Sequence, residues 1–415
     1  MLWGNRSKKN AEAVREHGAL GIDMNSNRLR AATGSDAHQR ILVLDEPHPE
    51  LALVIGLDKK SPHIGRSAVS LVRRLPHLSC AYFLPFLGLN EEWRGGKHKL
   101  SAVDALQIAF ERIRPLSLGH ASCFLGIPGY FSKAQAQRVV EIAARARFPI
   151  HGTACLALAL AADPLTLLAG RDSSVEADPN REGWIVPLHR PDLSDTPFEI
   201  VFIDVDDHGM MGYLVRVEKN AVQLAGFESS PHGSTRKWKS RLLNYIADRF
   251  VHMCRRDPRD SAEAEQALFE QIDDSLDRIR FGQKARIEIR AAQWFQKLDL
   301  LPEEFEQALQ PLTRDLLQDL RIILQGSTSS QPPRAYWLSH EAGRVPGLAH
   351  ALHANIAEQS SVGVLRPEAG AMALARLADR YARGELSTND LDAFIPIEFR
   401  KDTLPAPATI VKMKP

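Results

Sequence analysis

Two stretches of the chain share one pattern, in which an apolar run is followed by a polar turn and a second apolar run. The first spans residues 19–32 and has Asp23 in its opening run, and the second spans 198–217 and has Asp204 at the matching place. Apolar runs on either side of a polar turn predict a β-hairpin. Because strands and helices are predicted after each hairpin, the pattern indicates a weak internal duplication. We therefore expect an α/β protein with two similar lobes and a cleft between them, a place that ligands favour.

Other patterns predict the elements between the hairpins. Residues 123–127 predict a short buried strand, and Ser132 with Gln135 forms a capping box that opens a helix ended by Pro149. Residues 154–162, rich in Ala and Leu, predict a second helix. Further expected elements are helices at about 239–254, 262–278, from 302 onward and 367–383, and strands at 286–289 and 335–338.

The duplication sets the expected domain boundaries. Residues 1–197 form lobe I, with an insertion at 163–197 that is rich in Pro, Asp, Ser and Gly. Residues 198–385 form lobe II, and 386–415 form a tail with no substrate-binding domain. The insertion, which contains Trp184, is either a partner-binding loop or a variable surface loop.

Composition narrows the class of protein. The chain has 415 residues, with 52 Lys+Arg against 51 Asp+Glu, a balance that argues against nucleic acid or an anionic membrane as the main partner. The four cysteines form no C-x-x-C pair, so a disulfide framework is not expected and a reducing cytoplasm fits. The most apolar run, 154–162, is shorter than the roughly 20 residues that span a membrane. We expect a soluble cytoplasmic protein.

Seven short segments, in order, carry a resemblance to a known family. They are Gly21-Ile22-Asp23; Ile127-Pro128-Gly129-Tyr130-Phe131 with Gln135 and Gln137; Phe202-Ile203-Asp204; Arg241-Leu242-Leu243-Asn244-Tyr245-Ile246 through Phe250; Ala285-Arg286-Ile287-Glu288-Ile289; Gly343-Arg344-Val345-Pro346; and Arg366-Pro367-Glu368-Ala369 with Gly370-Ala371. Over residues 18–385 they resemble the nucleotide-binding domain of the DnaK-type, seventy-kilodalton heat-shock chaperones. The resemblance implies the two-lobed actin-like ATPase fold, which is ribonuclease H-like, with duplicated lobes around a central cleft.

The resemblance also implies where a nucleotide and its metal would bind. The implied cofactor-binding residues are Asp23, Asn25, Ser26, Asn27, Asp204, His208, Gly209, Gly343 and Arg344. Asp23 and Asp204 would jointly hold a hydrated Mg²⁺. The expected cofactor is weakly bound Mg-ATP or ADP, if any nucleotide binds.

The second hairpin departs from the family at the phosphate-binding turn. The family's glycines let backbone N–H groups approach the phosphates, whereas this chain has Asp206, Asp207 and His208 there. A carboxylate about 4 Å from a phosphate oxygen costs roughly 1 kcal/mol in water and about 4 kcal/mol at an effective dielectric constant of 20. In the first hairpin, Asn25–Asn27 replaces a G-T-T run but can still donate hydrogen bonds. We therefore expect phosphate binding to be weakened.

The family's catalytic positions are also changed. Its lysine falls at Leu84, its glutamate at Gly152 and the second aspartate of its second hairpin at Met211. Leucine cannot stabilise developing phosphoryl charge, and glycine has no carboxylate to position water. No catalytic residue is predicted. The adenine-clamping Lys-Arg pair falls within 273–277, and the adenosine-loop glycines fall near His340 and Glu341.

Three other groups have a functional and a structural interpretation. The acids at 204–207 with His208 either bind a hard cation or form a solvated turn. Cys155 and His151 are either a thiol with its base or a buried cysteine near a histidine. The basic stretch at 236–256 either contacts nucleic acid or is a solvated helix face.

These observations favour a heat-shock-chaperone-like nucleotide-binding domain that is a pseudo-ATPase and acts as an interaction or regulatory module for a protein partner. One alternative is a working chaperone ATPase with an atypical site. A third is a small-molecule kinase on the same fold.

Overall fold

The computed structural model describes residues 18–34, 39–163, 197–218, 221–291, 294–325, 331–387, 394–396 and 409–411. The strands are β1 Ala19–Met24, β2 Arg28–Gly34, β3 Gln39–Leu42, β4 Glu50–Ala52, β5 Val54–Gly56, β6 His63–Ile64, β7 Ser79–Ala81, β8 Glu92–Gly95, β9 His98–Ser101, β10 Cys123–Ile127, β11 Gly152–Cys155, β12 Phe198–Val205, β13 Met210–Glu218, β14 Ala221–Ser230, β15 Ala285–Ala291, β16 Trp294–Leu300, β17 Ala335–Leu338, β18 Ser361–Val364, β19 Phe394–Pro396 and β20 Thr409–Val411. The helices are α1 Arg66–Val69, α2 Ala102–Ile113, α3 Lys133–Arg145, α4 Leu156–Ala162, α5 Thr235–Cys254, α6 Ala262–Arg280, α7 Pro302–Gln325, α8 His340–Gly343, α9 Leu348–Asn355 and α10 Ala369–Ala382. Residues 164–196, which include Trp184 and nearly all of the predicted insertion, lie outside the described residues, as does most of the predicted tail.

Two mixed sheets, which share the topology of their five central strands, form the centre of the molecule, so the predicted α/β class is confirmed. The first has the order β11-β10-β1-β2-β3-β20, with β4 also paired to β2, and the second has the order β18-β17-β12-β13-β14-β19. In each, a hairpin and a third strand run antiparallel, and two later strands add in parallel beside the first hairpin strand. The two Asp-bearing hairpins therefore hold equivalent central positions.

Two helices cross between the sheets. Helix α10 follows the last parallel strand of the second sheet but packs on β1, β2 and β10 of the first. Helix α4 follows the last parallel strand of the first sheet and packs on α10 and on β13 and β14 of the second. Their buried small residues allow close approach: a Cβ atom at Gly21 would lie only 2.2 Å from backbone atoms of both Ala371 and Ala375. The sequence did not predict this exchange of helices.

Local predictions were correct where short-range signals decide. Ser132 and Gln135 form the predicted capping box, in which the Ser132 hydroxyl accepts the Gln135 N–H and the Gln135 amide oxygen accepts the Ser132 N–H. The helix predicted over residues 154–162 was wrong at its start, because β11 pairs with β10 through Cys155 and the helix begins at Leu156. Interstrand hydrogen bonds there outweigh the helix propensity of Ala154. Within the described residues, no helix is both long enough and apolar enough to cross a membrane.

Candidate functional site

Each central hairpin has a turn closed by its own side chain. The Asn25 amide oxygen accepts the backbone N–H groups of Asn27 and Arg28, both at 3.0 Å. In the second hairpin, Oδ1 of Asp206 accepts the N–H groups of His208 at 2.8 Å and Gly209 at 3.2 Å. Asn and Asp favour such turns because their short side chains bond to the backbone two residues ahead. These bonds fix both tips in the geometry that lets them meet.

The Asp206 carboxylate joins the two hairpins. Its Oδ2 atom accepts the Ser26 backbone N–H at 3.0 Å and the Tyr130 hydroxyl at 3.2 Å, in addition to the two N–H groups bound by Oδ1. The side chain has 0% exposure, so its charge is satisfied by four protein donors. The solvated-turn interpretation is therefore wrong for Asp206.

A second set of bonds strengthens the contact between the hairpins. The Asp207 N–H donates to Oδ1 of Asn27 at 2.7 Å. Nδ2 of Asn27 donates to the Thr235 hydroxyl at 3.2 Å, and that hydroxyl in turn donates to the Asp207 carboxylate. The His208 ring lies 4.2 Å from the Tyr130 ring, measured between centroids. The structure thus brings together all five predicted hairpin-tip residues. They are Asn25, Ser26, Asn27, His208 and Gly209.

An arginine that the sequence analysis did not select lies beside one of the predicted metal-binding acids. Arg28 Nη1 is 3.0 Å from the Asp23 carboxylate, and both side chains are buried. Arg28 also attracts Asp204 electrostatically. Within the described part of the chain, no group of three or more His, Cys, Asp or Glu side chains is arranged to hold a metal ion. The joint Mg²⁺ site of Asp23 and Asp204 stays a prediction.

Glu341 is the centre of a buried network of ion pairs. Its carboxylate lies 3.3 Å from Arg30 and 3.2 Å from Arg344, and 3.7 Å from the Nε atom of Arg28. Burial alone would raise the pKa of Glu341, but Arg344, His340 and Arg30 hold that pKa well below its usual value, so Glu341 is charged.

The network continues outward from Glu341 to residues of both halves of the chain. Arg30 bonds to Glu50 at 2.8 Å, and Arg344 bonds to Asp277 at 2.5 Å. The network therefore links strands β2 and β4 to helices α8 and α6. The sequence contains one indication of this ion-pair network: the spacing of Arg28 and Arg30 places both side chains on one face of a strand. No sequence pattern indicates that Glu341, more than 300 residues away, is their acidic partner.

The remaining predicted positions lie apart from this chemistry. Leu84 and Met211 are fully buried, and Gly152 is the first residue of β11. His151 Nδ1 accepts the Cys123 backbone N–H at 3.0 Å, and burial raises the pKa of the Cys155 thiol. This favours the buried-cysteine interpretation over a thiol nucleophile.

Most cationic residues of the basic stretch are exposed, as the solvated-face interpretation predicts; they include Arg236, Lys237, Arg241, Arg255 and Arg256. Lys239 is 2.6 Å from Asp273, and the Arg241 Nε donates to the Ala308 carbonyl at 2.7 Å. The Arg236 guanidinium lies 4.5 Å from the centre of the Tyr82 ring. These contacts occupy cationic groups that a nucleic acid would need.

A cavity of about 530 Å³ lies in the cleft beside the hairpin tips. Ser26, Asn27 and Asp207 line it, together with aromatic, aliphatic, basic and acidic side chains from both halves. Above it, the Gln266 side chain accepts the Arg73 N–H at 2.8 Å and donates to the Val69 carbonyl at 3.0 Å, so the two halves touch there. The open space is therefore next to the hairpin contact.

No protein-family model matches this chain, and no curated protein matches it.

The buried carboxyl of Asp204 predicts a dependence of stability on pH. Burial raises the pKa of Asp204 to about 7. The folded state then binds more protons than the unfolded state between about pH 4 and pH 7, so this group stabilises the fold at low pH and loses that contribution as the pH rises. Asp204→Asn should gain stability relative to the unmodified chain by up to about 1.4 kcal/mol per pH unit over this range. Urea unfolding of both proteins at about pH 5, 6, 7 and 8 measures the difference, and parallel pH profiles would contradict the prediction.

Proposed function

We propose that this chain is a heat-shock-chaperone-like nucleotide-binding domain of the actin-like fold, and that it is a pseudo-ATPase which serves as an interaction or regulatory module. Two sheets of matching strand order and the crossing of α4 and α10 support the duplicated lobes of that fold. The two Asp-bearing hairpins face each other where the family resemblance puts the phosphate site.

One observation carries the proposal: the Asp206 carboxylate accepts N–H groups from both hairpins. Backbone N–H groups at such turns are the donors that bind phosphate oxygens in nucleotide sites. In this chain a side-chain carboxylate takes these donors permanently, because it is covalently attached and fully buried. A triphosphate would have to displace Asp206 and then lie against its negative charge. We infer that Asp206 acts as an internal substitute for phosphate and holds the two halves together without nucleotide.

The other ion pairs support the same conclusion. Arg28 pairs with Asp23, so a guanidinium supplies the positive charge that the resemblance assigns to a metal. Glu341 lies between Arg30 and Arg344, near the position where the resemblance puts an adenosine-loop glycine. The Glu341 side chain and its three arginine partners would compete with a nucleotide for the same space.

Calorimetric titration with Mg-ATP tests the proposal. The unmodified chain should show no saturable binding at millimolar Mg-ATP and no turnover, because the phosphate-binding donors are already satisfied. Asp206→Asn keeps the shape and an acceptor oxygen but removes the charge, and Asp206→Gly removes both. Affinity should therefore increase in the order unmodified, Asn, Gly, each step being about tenfold or more if it removes at least 1.4 kcal/mol of repulsion. Sub-micromolar binding with turnover by the unmodified chain would instead establish the working ATPase.

A second experiment tests the internal substitution directly. Asp206→Gly should lower the thermal midpoint, because the Ser26, His208 and Gly209 N–H groups lose their acceptor. Inorganic phosphate should then raise the midpoint of Asp206→Gly more than that of the unmodified chain, since the N–H donors at the hairpin tips are vacant in the variant alone. Sodium chloride at equal ionic strength is the control. An equal effect of phosphate on both proteins would contradict the role given to Asp206.

The interaction role is tested by capture from a native lysate. A module of this kind should recover a specific protein partner, and recovery should persist when Mg-ATP is added, because nucleotide does not control its shape. A chain that recovers no partner counts against the interaction role.

A further inference from the structure

One glutamine side chain joins the first half of the chain, residues 18–163, to the second half, residues 197–387, above the cavity at the hairpin tips. Gln266, on α6, is 5% exposed. Its Oε1 atom accepts the Arg73 backbone N–H at 2.8 Å, and its Nε2 atom donates to the Val69 carbonyl at 3.0 Å. Val69 is the last residue of α1, so both bonds fasten the backbone of residues 66–75 to α6. We call this the outer contact.

The rest of the outer contact is weak. The Arg73 guanidinium lies 3.4 Å from the Glu265 carboxylate and 5.2 Å from the centre of the Phe269 ring. The Arg73 and Glu265 side chains are 30% and 24% exposed, and ion pairs that water reaches contribute little to stability. The two hydrogen bonds of Gln266 are therefore the specific part of the outer contact.

The main apolar clusters do not join the two halves at the outer contact. Three clusters of buried apolar side chains lie in the described residues. One lies in the first half, between residues 20 and 148, and another lies in the second half, between residues 201 and 362. The third contains residues of both halves and lies where α4 and α10 cross between the sheets. A contact with few buried apolar groups opens at a lower free energy than a packed core, so the outer contact should separate first.

We propose that Gln266 is a latch between a closed and an open arrangement of the cleft. With both bonds made, residues 66–75 are held against α6 and the cleft is closed above the cavity. When the bonds break, the two halves part at the outer contact. The shared apolar cluster and the Asp206 contact stay closed and act as the hinge.

The latch also controls the width of the cavity. The cavity is lined by Val69, Arg73 and Phe269 from the outer contact and by Ser26 and Asp207 from the hairpin tips. Movement of the outer contact away from the hinge therefore enlarges the space between them. This inference does not rest on the proposed function, because a hinge of this kind works whether or not a nucleotide binds.

Spin labels on exposed residues of the two halves measure the opening. Noncanonical amino acids that replace Lys60 and Asp274 carry the labels, so the native cysteines are not needed. The unmodified chain should give one main distance by double electron–electron resonance. Gln266→Ala removes both latch bonds and should raise the population of a second, longer distance about tenfold or more, as expected for the loss of two neutral hydrogen bonds.

Two further variants make the test specific. Gln266→Glu keeps an acceptor for the Arg73 N–H but puts a carboxylate oxygen against the Val69 carbonyl, so it should also open the latch. Gln271→Ala is the matched control on the same helix, because the Gln271 amide donates to the Ala267 and Glu288 carbonyls, both in the second half. It should keep the distances of the unmodified chain, and urea unfolding verifies that each variant is folded. Unchanged distances in both Gln266 variants, or an equal change in Gln271→Ala, would refute the latch.

Amide hydrogen exchange tests the hinge in the same variants. The Ser26 N–H donates to Asp206, so Gln266→Ala does not remove its acceptor. Its exchange should stay as slow in Gln266→Ala as in the unmodified chain. Faster exchange of the Ser26 N–H in Gln266→Ala would show that the halves separate as a whole, and the hinge at Asp206 would then be wrong.

Discussion

Glu341→Gln should lower the free energy of unfolding by about 3–5 kcal/mol, the usual cost of removing one partner from a buried ion pair. The side chain is 4% exposed and lies between Arg30 and Arg344, with Arg28 nearby. Glutamine keeps the size and one acceptor oxygen but removes the charge. Three guanidinium groups would then share fewer carboxylates. The expected loss is large because these charges are largely buried, and because Glu341 joins both halves.

Urea unfolding monitored by tryptophan fluorescence measures this loss as a shift of the midpoint at constant slope. The matched control is Glu92→Gln, which also removes a glutamate with two ion-pair partners, Arg94 and Lys99, but on the surface. Surface ion pairs contribute little, so the control should unfold at the same urea concentration as the unmodified chain. Equal midpoints for Glu341→Gln and Glu92→Gln would show that the buried network does not stabilise the fold.

Gly21→Ala should destabilise the chain by about 3 kcal/mol, at the upper end of the range for an overpacked core. The added methyl group would lie 2.2 Å from the Ala371 carbonyl oxygen and 2.2 Å from the Ala375 nitrogen. Both are backbone atoms of α10, and they cannot move aside as a flexible side chain can. The substitution must therefore push α10 away from β1 and loosen the packing between the two halves.

A glycine in the second sheet provides the control for Gly21. At Gly226, in β14, an added Cβ would meet its nearest neighbour, the Leu214 Cβ, at 3.5 Å, an ordinary contact. Gly226→Ala should therefore leave stability unchanged or raise it slightly, since alanine reduces the freedom of the unfolded chain. Thermal unfolding of both variants checks the comparison. A Gly21→Ala midpoint equal to that of Gly226→Ala would mean that α10 is not packed as closely on β1 as the structure places it.

Both predictions concern how the two halves are held together. In a nucleotide-binding domain of the proposed type, a bound nucleotide would span the cleft between them. Here Asp206 spans it at the hairpin tips and Glu341 spans it further out. Under the proposed function, these permanent contacts take the place of nucleotide-dependent ones.

Local order could be predicted from the sequence by itself. Hydrophobic periodicity and residues that act over a few positions predict the two hairpins, the capping box of Ser132 and Gln135, and the helices α5, α6 and α10. The acids within residues 204–207 could also be identified from the sequence. Their environment could not be predicted: the same carboxylates fit a solvated turn or a buried bridge, because the Ser26 N–H and the Tyr130 hydroxyl that complete the bonding of Asp206 come from distant parts of the sequence.

Only the tertiary structure decided what those side chains do. Asp206 is buried with Ser26, 180 positions away, as a donor. Glu341 is charged because Arg344 and His340, close in sequence, and Arg30 on β2, more than 300 positions away, lie beside it. The start of α4 was decided in the same way, by the pairing of β11 with β10. Hydrophobic spacing and capping depend on neighbours three or four residues away, so the sequence contains them directly. The free energy of a buried charge depends on the groups that the fold brings within a few ångströms of it, and no local sequence pattern specifies those groups.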